Sequence, residues 1–279
     1  MATYRRKNYI LLAEEFYMNN DEYKAVEMYE KALSYNGDKE ETIIIMFNIA
    51  SIYEEIDEYQ KAKMVYMRIL DIEPNSFDAL YNLATLYDEG GLIEEALKYF
   101  IMASKVNPND YICLNNIGSL YEELDKYEEA FYYIKWSIDL RNDFYKSLFN
   151  MGVVYKKMGN HKESIEYYNK AKEINPHYPN IYLNLSAIYI EDQDFHSSIE
   201  ILNEGIENNP DAHNLYYNRA CSYTKLNNKE MALKDMRASL KLSPGLLAWF
   251  KMDKDFDDLR YDEEFIKIIK EFSNIELAT

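Results

Sequence analysis

The chain has 279 residues, 48% of them hydrophobic, with only 8 Gly and 6 Pro. That composition can bury a sizeable core, but it leaves few turn residues for an all-β fold. A formal net charge of -18 repels phosphate backbones and excludes nucleic acid as the expected partner.

Met1 to Tyr9 has no apolar stretch of the kind a signal peptide needs. Ile43–Phe47, the longest aliphatic cluster, is far too short to span a bilayer. A cytoplasmic protein with no membrane partner is the expectation. Residues 6–39 read as a first helical hairpin, with Leu12, Ala13 and Phe16 on one helix and Ala25, Tyr29 and Ala32 on the next. Gly37 follows, and Glu40–Thr42 are extra residues before the next unit.

Residues 43–76 show the pattern more fully. Met46, Ile49, Ala50 and Tyr53 follow the spacing of one helical face; Glu55–Glu58 interrupts it; Ala62, Tyr66 and Ile69 resume it. Pro74 ends the second helix by blocking helical geometry in the residue before it. Residues 77–110, 111–144, 145–178, 179–212 and 213–246 repeat the scheme, giving seven units over 6–246. Leu246–Asp253 reads as one more helix, and the run from Asp255 leads into an amphipathic helix ending at Phe272. Phe265, Ile266, Ile269 and Phe272 would face inward, with Lys267, Lys270 and Glu271 in water. Residues 247–279 are therefore expected to cap the apolar end of the last unit, with Ser273–Thr279 frayed.

The period is visible in single residue types. Tyr53, Tyr87, Tyr121, Tyr155, Tyr189 and Tyr223 are each 34 apart, and so are Asn48, Asn82, Asn116, Asn150, Asn184 and Asn218. Five of the six prolines, Pro74, Pro108, Pro176, Pro210 and Pro244, keep one phase, missing only at Asn142. Tyr makes up 28 of 279 residues, so five further hits after the first have a chance on the order of 10⁻⁵. Ala50, Ala84, Gly118, Gly152, Ser186 and Ala220 put a small side chain where paired helices cross.

This succession of Leu or aromatic, Gly or Ala, Tyr, Ala, Phe or Tyr, Ala and Pro resembles the tetratricopeptide repeat. The resemblance implies an all-α solenoid of antiparallel helix hairpins, curved into a right-handed superhelix with the first helices lining its concave side. It also implies a scaffold that holds protein or peptide partners. At the matching places a regular row of amides, Asn48 to Asn218, can bond the N–H and C=O groups of an extended chain without reading its sequence. Beside it runs a row suited to a partner's apolar side chains: Phe47, Tyr81, Asn115, Phe149, Leu183 and Tyr217. A turn further lie Glu54, Glu55, Asp88, Glu89, Glu122 and Glu123, then Lys156, Lys157 and Lys225. The first half would be acidic and the second mixed, which suits a segment with basic residues at one end. The carboxylate clamp of chaperone-binding relatives is not expected. That clamp uses Lys and Asn on one repeat and Lys and Arg on another. Here the matching early places are Ile10, Glu14, Asn48, Asp78 and Asn82, so its cations are missing, and Lys146, the one basic residue at an equivalent place, has no Arg beside it.

Catalytic signals do not emerge. There is no phosphate-cradling glycine loop and no nucleophile elbow, and Gly90-Gly91 reads as a hairpin turn. His161, His177, His196 and His213 lack metal-ligand spacing, and Cys113 and Cys221 match neither a metal nor a redox motif. Buried free thiols, no metal, no cofactor and no enzymatic activity are expected. Two other functions stay open: self-assembly of copies through ends or outer faces, and sensing of a short signalling peptide. The second usually needs an output domain, for which 6–272 leaves no room.

Overall fold

The computed structural model describes residues 2–276, and side chains from residue 4 to residue 273. No strand occurs among the described residues. The chain divides into two compact units, residues 1–126 and 127–279. The first holds α1 (Ala2–Met18), α2 (Glu22–Leu33), α3 (Lys39–Glu55), α4 (Tyr59–Ile72), α5 (Phe77–Glu89), α6 (Ile93–Val106) and α7 (Tyr111–Glu123). The second begins with α8 (Tyr127–Leu140), α9 (Tyr145–Lys157), α10 (His161–Ile174), α11 (Pro179–Glu191) and α12 (Phe195–Asn208). It continues with α13 (His213–Lys225), α14 (Lys229–Leu242), α15 (Leu247–Met252) and α16 (Glu263–Glu276). No described helix is long and apolar enough to cross a membrane.

Local chemistry sets the helix ends. Asp38, Asp110 and Asp194 accept from the backbone N–H three residues on, satisfying a donor that the first turn leaves unpaired. At the far end of the odd-numbered helices α3 to α13, one residue turns left-handed: Asp57, Gly91, Asp125, Gly159, Gln193 and Asn227, with φ from 56° to 78°. These positions also keep the 34-residue step. After each, the next N–H returns to the carbonyl of the periodic tyrosine, as Glu58 does to Tyr53 at 2.8 Å and Asn160 to Tyr155 at 2.8 Å. That six-to-one bond closes the helix and starts the next. The tyrosine row thus marks the last turn of each of these helices.

Between paired helices, the small row is buried throughout. Gly152 shows why: a Cβ there would come within 2.6 Å of the Tyr168 ring. The neighbouring row Ile49, Leu83, Ile117, Met151 and Leu185 is also buried, but its last member is Arg219. Arg219 grips buried Asp235 with two bonds at 2.6 and 2.7 Å and donates to Asn203 at 2.6 Å. The ion pair fills a place that aliphatic side chains hold elsewhere, and its hydrogen bonds offset the cost of burying charge.

The first hairpin departs from the pattern for a visible reason. Arg6, 2% exposed, bonds Glu41 at 2.7 Å, Thr42 at 2.9 Å and the Tyr35 carbonyl at 2.8 Å. The extra residues Glu40–Thr42 supply two of those partners, and Gly37 leaves room for the guanidinium, which a Cβ would meet at 2.1 Å.

The tail differs in detail from the sequence reading. Leu246 belongs to a 3-10 turn, Pro244–Leu246, ahead of α15, and a second one, Lys254–Leu259, precedes α16. Among the described side chains of α16, Phe265, Ile268 and Phe272 are buried, whereas Ile266 is exposed. Phe265 and Phe272 are two turns apart, and Ile268 lies between them on the same face. α16 continues to Glu276, so Ser273–Glu276 is helical rather than frayed; the expectation for residues 277–279 lies outside the described residues. Phe250, Phe256 and Phe265 close the hydrophobic cluster of α13 and α14.

Candidate functional site

In the first unit the periodic amides stand at one register on α3, α5 and α7, and each is tied on one side. Asn48 donates to the Tyr29 hydroxyl at 3.3 Å and Asn82 to the Tyr66 hydroxyl at 3.2 Å. Phe100 takes the corresponding place beneath Asn116 and has no hydroxyl. Asn116 donates instead to Tyr81 at 3.2 Å, and the Tyr81 ring packs edge-on against Phe100. Asn48 is exposed and the other two are half-buried. A side-chain amide has two donor hydrogens and an accepting oxygen, so one bond leaves the rest of its capacity available.

An acidic row flanks these amides. Glu54 and Asp88 are half-buried and Glu55, Glu89 and Glu123 exposed. Tyr66 donates its hydroxyl to Glu54 at 2.5 Å, and Tyr17 donates to Glu55 at 2.8 Å. Burial raises the pKa of Glu54, against the pull of the Tyr66 bond and with Glu89 adding repulsion. Burial and then Glu89 raise that of Asp88; burial, Asp88 and Glu122 raise that of Glu123. The acids crowd one another, and a cation placed among them would relieve the repulsion.

In the second unit Asn184 accepts from Tyr168 at 3.3 Å and donates to the Asn180 carbonyl at 2.9 Å. Asn150 and Asn218 are half-buried. Lys156 pairs with Glu191 at 2.9 Å and Lys225 with Asp255 at 2.7 Å, so those cations are engaged within the chain.

The row expected to dock apolar side chains fits that role poorly. Phe47 packs on Tyr66, and Phe149 on Tyr168 and Tyr178, with ring centroids 5.1 to 5.9 Å apart. Asn115 is only 4% exposed and is closed to a partner. Leu183 is half-buried in a cluster with Leu202 and Leu215. Tyr217 is taken by the tail: its ring contacts Phe250 and Phe256, and its hydroxyl donates to Asp253. Burial and that bond raise the Tyr217 pKa, keeping it a donor.

The tail also assembles a group that sequence spacing could not reveal. Cys221, Asp253 and Asp255 bring ligand-type atoms within 4.8 Å of one another. The protein already compensates both carboxylates, through Tyr217 and Lys225. Cys113 and Cys221 are free and buried.

Profiles described as tetratricopeptide repeat match residues 44–76, 65–98, 112–144, 145–178, 179–212 and 213–245. No curated protein sequence matches the chain. A tetratricopeptide repeat protein from Parabacteroides merdae ATCC 43184 superposes with a TM-score of 0.69 at 19% identity, covering 97% of this chain and 99% of that one. Pseudomonas aeruginosa pilF gives 0.63 at 19% identity over 77% of this chain and 99% of its own. MamA residues 41 to the end, from Desulfovibrio magneticus RS-1, gives 0.54 at 18% identity over 62% and 97%. The fold is an all-α solenoid of antiparallel helix hairpins.

Proposed function

We propose, since this chain belongs to the tetratricopeptide repeat family, that it is a protein-interaction scaffold whose first unit holds an extended, basic polypeptide segment. The observation that carries the reading is the pairing of two rows at one register: amides with spare bonding capacity on α3, α5 and α7, beside carboxylates that burial and mutual repulsion leave undercompensated. The amides would bond the partner's backbone, and Lys or Arg side chains would reach Glu54, Asp88, Glu89 and Glu123. The apolar row contributes little, because its rings are spent on the fold. Families built on this repeat are typically non-catalytic, and nothing in this arrangement calls for a reaction.

The test is binding of a fluorescent, unstructured lysine-rich peptide by anisotropy. Affinity should fall steeply between about 50 mM and about 500 mM salt, because exposed charges are screened. The triple variant Asn48→Ala, Asn82→Ala, Asn116→Ala should lose binding while staying helical. Unchanged affinity in that variant, or indifference to salt, would refute the reading.

A further inference from the structure

The first helix carries an uncovered seam. Its inner face packs through Tyr9, Ile10, Ala13 and Phe16 into the core. On the opposite side, Tyr4, Leu11 and Met18 are 72%, 62% and 80% exposed. They are seven residues apart, so they form one line along α1. Leu11 stands where later hairpins place the periodic Asn, the offset being 34 plus the three extra residues. Here the amide is replaced by an exposed aliphatic side chain.

Two charges complete the line. Lys7 lies between Tyr4 and Leu11, and Glu14 between Leu11 and Met18; both are exposed, and neither forms an ion pair among the described residues. Along the helix the seam therefore reads apolar, basic, apolar, acidic, apolar. Reversed, it reads apolar, acidic, apolar, basic, apolar. An antiparallel copy would set Leu11 on Leu11, Tyr4 on Met18, and Lys7 beside Glu14 and Glu15 twice over. A parallel copy would set Lys7 against Lys7 and Glu14 against Glu14.

We propose that this seam is a homodimer interface, in which α1 of a second copy of this chain packs antiparallel about Leu11 on a two-fold axis. A two-fold contact needs a self-complementary patch, and this charge order provides one. The helix is already folded against α2, so association need not first order it. One helix pair is smaller than a standard interface, so a dimer dissociating at about micromolar concentration is expected.

The experiment is sedimentation equilibrium of the full chain from about 1 to about 200 µM. The wild type should shift from the 33.2 kDa monomer to twice that mass. Leu11→Glu should be monomeric with unchanged circular dichroism. Lys7→Glu alone and Glu14→Lys alone should each weaken association at least about tenfold, since like charges then meet twice. An equimolar mixture of those two variants should regain it, because every contact again pairs opposite charges. Either of two results would overturn the proposal: a wild type monomeric throughout, or a dimer indifferent to Leu11→Glu and to the charge changes. The first would leave the seam to a different protein, and the second would put self-association on another surface.

Discussion

Tyr66 gives its hydroxyl hydrogen to Glu54 at 2.5 Å while accepting one from Asn82 at 3.2 Å, so a single phenol joins the amide row to the acidic row. Burial, together with the bond to Glu54, raises the Tyr66 pKa far above its ordinary value, and it remains a donor. Tyr66→Phe leaves Glu54 half-buried without that donor. We expect a loss of about 1–2 kcal/mol in urea unfolding and a further rise in the Glu54 pKa. No change in either would mean that the bond does not hold the row.

The acids make stability depend on pH with a definite sign. Glu54, Asp88 and Glu123 have raised pKa values in the folded chain, against ordinary values of 4.5 for Glu and 3.8 for Asp. Between those ordinary values and the raised ones, the native state binds more protons than the unfolded state. Stability contributed by these groups therefore falls as pH rises through that window. Asp262 and Glu264, lowered chiefly by their bonds to Lys229 and Arg237, act oppositely as pH falls through the carboxylate range. Thermal melts across pH 4 to 7 should show the first slope flattened in Glu54→Gln, Asp88→Asn. A bound cation favours the ionised acids, so affinity for a basic peptide should weaken toward low pH.

A size exchange between helices gives a sharper test of packing. Tyr182 on α11 occupies the place that Leu148 holds on α9, and Gly205 on α12 the place of Ala171 on α10. A Cβ on Gly205 would come within 2.8 Å of the Tyr182 ring, so the larger ring requires the smaller neighbour. Gly205→Ala should cost about 1–3 kcal/mol despite its better helix propensity. Adding Tyr182→Leu, which recreates the Leu148 and Ala171 arrangement, should recover part of the loss. Strict additivity in that double-mutant cycle would show that the two sites do not sense each other.

Gln193 is the least suited of the left-handed turn residues, at φ 61° where Gly91 and Gly159 stand in sister turns. Gln193→Gly should stabilise the chain by about 0.5–1 kcal/mol, since a side chain is strained there. Gly159→Gln should do the reverse. Chemical denaturation of the two variants decides it.

Much of this was legible before the structure. The 34-residue step of Asn48 to Asn218 and Tyr53 to Tyr223 exposes a helical repeat, because each hairpin solves the same packing problem with the same residues. Contacts made by the last hairpin and the tail were not legible. Tyr217 continues its row in sequence, yet Asp253 and Phe256 land on it through a tail that lies outside the repeat. Asn115 beside Asn116 looks equally available, but one helical step of about 100° takes it into the core. The left-handed row is hidden in the sequence because Asp, Gly, Gln and Asn succeed one another along it, and a shared backbone angle is less visible than a shared side chain.

The most direct measurement is the side-chain amide NMR spectrum of the ¹⁵N-labelled chain, with Asn48, Asn82 and Asn116 assigned by substitution, as a lysine-rich peptide is added at low salt. These three amide pairs should shift together and saturate at one concentration, with smaller changes on α2, α4 and α6. Saturable binding that moves signals of α2, α4 and α6 and leaves those amides in place would contradict a partner held on the amide row.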